Sequence, residues 1–113
     1  MLTSITMYPH ERKTLTEITQ LLRTKFPDRI IAVYAFGSRV RGDYNAWSDF
    51  DILIIVKDKS PELEADIISI IVDEERSREL SFSPVVKDSR AFDLERSLHT
   101  PFYENIMKEG VEL

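Results

Sequence analysis

The chain has no cysteine, which excludes disulfides and thiolate metal sites and fits a cytoplasmic protein. No apolar run approaches the ~20 residues needed to cross a bilayer, so no membrane span is expected. The first seven residues lack a basic region followed by an apolar core, so they do not read as a signal peptide. Lys and Arg are nowhere gathered into a basic face, and the net charge is −5. A chain that grips nucleic acid by itself usually carries such a face, so a long nucleic-acid partner is disfavoured. Histidine is scarce too: His10 and His99 stand apart in polar settings with no partner at ligand spacing, and both read as surface residues. What remains is ordinary for a globular protein. At 113 residues, 42% hydrophobic and 31% charged, the chain reads as a single domain, residues 1–113, with a modest core.

One stretch organises the rest. The apolar run Ile30 to Phe36 and the apolar run Ile52 to Val56 are short and rich in β-branched and aromatic residues, as buried strands are. Between them lie Gly37, Ser38, Gly42, Asp49 and Asp51. Residues i and i+2 of a strand share a face, so Asp49 and Asp51 project together, with Cα atoms roughly 6–7 Å apart, while Phe50 points into the core. Two carboxylates that close resist joint ionisation unless a cation sits between them, and hard oxygen ligands of this kind suit Mg²⁺. A solvated or turn-capping Asp pair at a strand mouth is the plainer alternative. Gly37 lets the backbone turn sharply and approach a ligand. Ser38 can start a short helix whose free N–H groups suit phosphate. Arg39 and Arg41 could reach a triphosphate or lie solvated in the loop, and the solvated reading is slightly favoured. Ser48 could orient the Asp49 carboxylate, Trp47 could pack over the loop, and Tyr44 could stack on a base; each is also compatible with an ordinary loop.

The remaining pattern supplies a frame. Pro9 opens an amphipathic helix in which Leu15, Ile18, Leu21, Leu22 and Phe26 recur at helical spacing, with Glu11 and other charged residues elsewhere around it, and Pro27-Asp28 stops it. The first two strands, 29–36 and 50–57, are joined too briefly for a helical crossover and should be antiparallel neighbours. Ser60-Pro61 starts a second helix over 61–77. A third strand follows over 79–87, in which Pro84 demands an edge position or a bulge. Further helix is expected from Asp88-Ser89 through Leu94 and again after Thr100-Pro101, with Phe102, Ile106 and Met107 packing back and Glu109-Gly110 ending it.

Strand, Gly37-Ser38, Gly42, then Ser48-Asp49-Phe50-Asp51 and a second strand together resemble the nucleotidyltransferase signature of the DNA polymerase β superfamily. The minimal, stand-alone branch of that superfamily is the closest in size. The resemblance implies an α/β (α+β) nucleotidyltransferase fold: a small mixed sheet with helices packed mainly on one face. It implies transfer of a nucleoside monophosphate, AMP from ATP, to an acceptor hydroxyl. Gly37 and Ser38 would hold the β and γ phosphates and Asp49 and Asp51 would bind Mg²⁺, two ions in the full scheme. That scheme calls for a third carboxylate on the next strand. Here the strand reads Leu80-Ser81-Phe82-Ser83-Pro84-Val85-Val86, with Ser81 and Ser83 where the acid should be, Glu79 at its beginning and Asp88 past its end. Triphosphate binding could survive with one metal, while activation of the acceptor should suffer badly without that third acid. Minimal domains of this kind are often encoded beside a small helical HEPN protein and neutralise it, so an antitoxin-like binding module is the alternative. An exposed edge at the third strand would make a homodimer easy.

Overall fold

The architecture follows from four strands whose side chains alternate between two helical layers. The computed structural model describes residues 7–41, 49–78 and 80–113. The elements run α1 (Pro9–Lys25), β1 (Ile30–Phe36), α2 (Ser38–Arg41), β2 (Phe50–Val56), α3 (Pro61–Arg78), β3 (Phe82–Asp88), α4 (Ser89–Leu98), α5 (Pro101–Glu109) and β4 (Val111–Glu112). Pro9 and Pro101 stand at helix starts, where a missing N–H costs nothing. Asp28, in the left-handed region at φ 66°, lies in the turn that ends α1, as Pro27-Asp28 suggested.

The sheet order is β3-β2-β1-β4. β1 and β2 are antiparallel, with Ala35 opposite Ile52 and Phe36 opposite Asp51, as their short connection requires. β2 and β3 are parallel, joined through α3, with Asp51 opposite Ser83. Pro84 lies on the edge strand, where its absent N–H faces no neighbour, and the register runs through it without a bulge. β3 begins at Phe82 rather than at 79: α3 runs to Arg78, and the Phe82 N–H donates to the Glu75 carboxylate of that helix.

Val33, Ala35, Ile52 and Ile54 face one side, against Leu15, Ile18 and Leu22 of α1 and Leu63, Ile67 and Ile71 of α3. Ala32, Leu53 and Ile55 face the other, against Phe92 of α4 and Phe102, Tyr103 and Ile106 of α5. The helices therefore divide between both faces rather than lying mainly on one. The period of two in β1 and β2 makes this unavoidable, because both parities of these strands are apolar and both need cover. Met107, expected to pack back, is 46% exposed.

β4 was not anticipated. Its two residues pair antiparallel with β1, Val111 opposite Ala35, and the Leu113 N–H donates to the Val33 carbonyl at 2.9 Å. This short strand ties the end of α5 to the middle of the sheet.

Candidate functional site

The chemistry-bearing residues gather where β1 ends and β2 begins. Gly37 follows the last residue of β1 with φ 89°, a conformation that side chains rarely adopt. The reason lies across the turn: a Cβ at position 37 would stand 2.0 Å from Asp51 Oδ2. The Asp51 carboxylate therefore lies directly over the turn, and only a glycine leaves room for it. The Val40 N–H donates to the Gly37 carbonyl at 3.1 Å, closing the turn that begins α2.

Arg39 and Glu11 are both buried and form an ion pair at 2.6 Å, with the Arg39 guanidinium 4.4 Å from the centre of the Phe50 ring. Glu11 also accepts from the Tyr8 N–H at 3.0 Å. The solvated reading of Arg39 does not hold, since its guanidinium is buried and paired with Glu11, itself buried in the first turn of α1. A buried guanidinium needs a paired carboxylate, and the first turn of α1 brings one. Phe50, fully buried against Phe82, completes the clamp that holds α2 beside the start of β2.

Asp51 shares a face with its partner Phe36, whose ring meets Phe102 of α5 edge-on at 5.7 Å. An open cleft of about 320 Å³ lies there. Its apolar floor is Phe36, Phe102 and Ile106. Gly37, Ser38 and Asp51 form one wall, and Asn105 and Glu109 form the other. Asp49 is exposed, one residue ahead of β2, and does not line this cleft. Arg41 ends α2. Gly42, Tyr44, Trp47, Ser48 and Glu79 lie outside the described residues.

The register settles which residue of β3 neighbours the site. Ser83 lies opposite Asp51, and the Phe50 N–H donates to the Ser81 carbonyl at 2.9 Å; no carboxylate stands on β3 at this level. Asp88 is at the far end of the strand, opposite Val56. There it caps α4, accepting from the Arg90 N–H, and it also accepts from the Lys59 N–H, which is the main cause of its lowered pKa. Among the described residues, no three of His, Cys, Asp and Glu stand together so as to hold a metal. The donor set of Asp49 and Asp51 fits a hard cation that shares its shell with phosphate oxygens, the usual manner of Mg²⁺, and does not fit a cage built by protein alone.

Asn105 and Glu109 escaped the sequence reading. Their only signal was Val111-Glu112-Leu113, an apolar-polar-apolar triplet after Gly110 that is too short to identify as a strand.

The comparisons point the same way as this geometry. The nucleotidyltransferase domain family matches residues 15–112. Two proteins of Methanocaldococcus jannaschii, named as candidate protein adenylyltransferases, are each 29% identical to the chain. One is matched over 89% of this chain and 95% of its own length, the other over 88% and 94%. A crystal structure of a candidate nucleotidyltransferase from Sulfolobus solfataricus superposes with a TM-score of 0.55 at 26% identity, covering 88% of this chain and 76% of that one.

Proposed function

From the premise that the chain belongs to the nucleotidyltransferase domain family, we propose that it transfers AMP from ATP to a hydroxyl of a protein acceptor, with Mg²⁺ held by Asp49 and Asp51. The observation that carries this reading is the packing of the Asp51 carboxylate over the Gly37 turn, which sets a cation ligand against a phosphate-binding backbone. The protein acceptor rests on the names of the two Methanocaldococcus jannaschii relatives. Gly37 and Ser38 hold the β and γ phosphates, and the wall they form with Asp51 aligns the α-phosphorus. A bond forms from the acceptor oxygen to that phosphorus, the bond to the bridging oxygen breaks, and pyrophosphate leaves. Bound Mg²⁺ would screen the phosphate charge and stabilise the leaving group. Arg39 and Glu11 act at one remove, by holding α2 in place. With Ser83 beside Asp51, β3 offers no carboxylate to take the acceptor proton, and turnover is slow unless the acceptor brings its own base.

That same serine favours a second reading, an antitoxin-like module that binds and neutralises a helical HEPN-type protein. The exposed apolar side chains Leu94 and Leu98, one turn apart on α4, and Met107 on α5 would suit such a contact. Calorimetric titration with a non-hydrolysable ATP analogue, with and without Mg²⁺, separates the two. Magnesium-dependent binding that is lost in Asp49→Asn/Asp51→Asn supports the transferase. Absence of binding in the unaltered protein leaves the module alone.

A further inference from the structure

β3 is an edge strand, and its outer side is poor in hydrogen-bond donors for particular reasons. The Phe50 N–H donates to the Ser81 carbonyl. Along a parallel ladder, successive residues of a strand turn their backbone groups to alternate sides. Ser81, Ser83 and Val85 therefore face β2. Phe82, Pro84 and Val86 face outward, where the sheet has no further strand among the described residues. Two of those three positions offer no donor. The Phe82 N–H is taken by the Glu75 carboxylate at 3.1 Å, and Pro84 has no N–H. Val86 keeps the one outward donor in the middle of the strand.

The placement of Glu75 is built in. It lies one turn beyond Ile71 on α3, and Ile67 and Ile71 are fully buried against the sheet. Glu75 thus continues the stripe that packs on the strands, and its carboxylate reaches their edge. The end of α3 is held by Arg78, which donates to Glu74 on its own helix and to Glu17 of α1. Across the sheet, β1 is closed by other means. Its Val33 carbonyl accepts from the Leu113 N–H, and its Ile30 carbonyl accepts from the Arg23 guanidinium at 3.0 Å.

The sequence of β3 explains what such closure guards against. Residues 80–86, Leu-Ser-Phe-Ser-Pro-Val-Val, carry no charge. Short uncharged runs rich in aromatic and β-branched residues pair readily with copies of themselves when they lie on an exposed edge, and a proline is the usual break. A second copy is the partner whose chemistry fits. Two copies related by a two-fold axis would set this run antiparallel to itself, with no charge in it to repel.

We propose that Glu75 and Pro84 together form an edge guard that keeps β3 from pairing with β3 of a second copy of this chain. Glu75 withholds the donor at Phe82, and Pro84 removes the next one. An incoming strand then finds carbonyls to accept from it but, at two successive positions, nothing to donate back. The same guard refuses a strand offered by any other protein at this edge.

The test combines light scattering after size exclusion with amide hydrogen exchange, on the full chain at rising concentration. In the unaltered protein the Val86 amide should exchange faster than those of Val85 and Lys87, whose N–H groups face β2, and concentration should not slow it. Glu75→Ala/Pro84→Val should strengthen self-association about a hundredfold, the scale of a few recovered hydrogen bonds, and its Val86 amide should slow as the dimer forms. Glu75→Gln, which keeps an oxygen to accept from Phe82, should behave as the unaltered protein does. An unaltered protein that dimerises with slowing at Val86 overturns the proposal. So does a folded double variant that stays monomeric, or that associates with Val86 still fast. Should the double variant not fold, Pro84→Val alone decides in the same way, with a smaller expected gain.

Discussion

Gly37 shows how a single residue can serve backbone and chemistry together. Its φ of 89° and the 2.0 Å approach to Asp51 Oδ2 make two separate demands, and alanine meets neither. Gly37→Ala should lose roughly 1–2 kcal/mol from the left-handed conformation alone, seen as a lower thermal midpoint. The methyl group should also push the Asp51 carboxylate aside and abolish nucleotide binding in the refolded protein. A variant that binds normally would show that Asp51 yields without consequence. The Glu11–Arg39 pair poses a different question. Removing one partner of a buried pair leaves the other charge uncompensated, at about 3–5 kcal/mol. Glu11→Ala should therefore approach that loss in urea unfolding, whereas Glu11→Ala/Arg39→Met should recover much of it. Equal losses in both would locate the effect in packing against Phe50 instead.

At the scale of elements, α4 is anchored by two carboxylates. Asp88 caps it, and Glu95 binds the Lys87 ammonium and accepts from the Thr100 hydroxyl at 2.7 Å, joining β3, α4 and the start of α5. Both carboxyls sit below their ordinary values, Asp88 chiefly through the Lys59 N–H and Glu95 chiefly through Lys87. A carboxyl lowered in the folded state adds stability that is fully present above its unfolded value, about 4. That stability is lost as the pH falls through the lower, folded value. Urea midpoints should hold level from neutral pH and then decline below about pH 4. Asp88→Asn, which retains the cap but cannot titrate, should flatten part of that decline; an unchanged slope would assign it to other carboxylates, Glu17 beside Arg78 first among them.

For the molecule as a whole, what could be read from sequence was what is local. Gly37 to Asp51 is one continuous stretch, and the strands flanking it are short apolar runs, so the glycine turn and the antiparallel pairing were legible. The lack of an acid on the third strand was legible too: Ser81 and Ser83 stood where it should be, and the register puts Ser83 opposite Asp51. The Glu11–Arg39 pair was not, since 28 residues separate its members and neither carries a sign of its partner. Nor was the α5 wall, which depends on a strand of two residues whose pairing only the finished sheet reveals. The even division of helices was hidden because continuous apolar strands announce that both faces are covered without saying by what.

The account depends on the cleft between Gly37 and α5 being where a nucleotide sits. Amide NMR of the isotope-labelled protein, titrated with Mg²⁺ and a non-hydrolysable ATP analogue, tests this most directly. The predicted result is saturable shifts concentrated at Gly37, Ser38, Asp51, Asn105 and Glu109, absent without Mg²⁺, with the amides of α1 and α3 little moved. Shifts centred elsewhere, or none at saturating analogue, would contradict it.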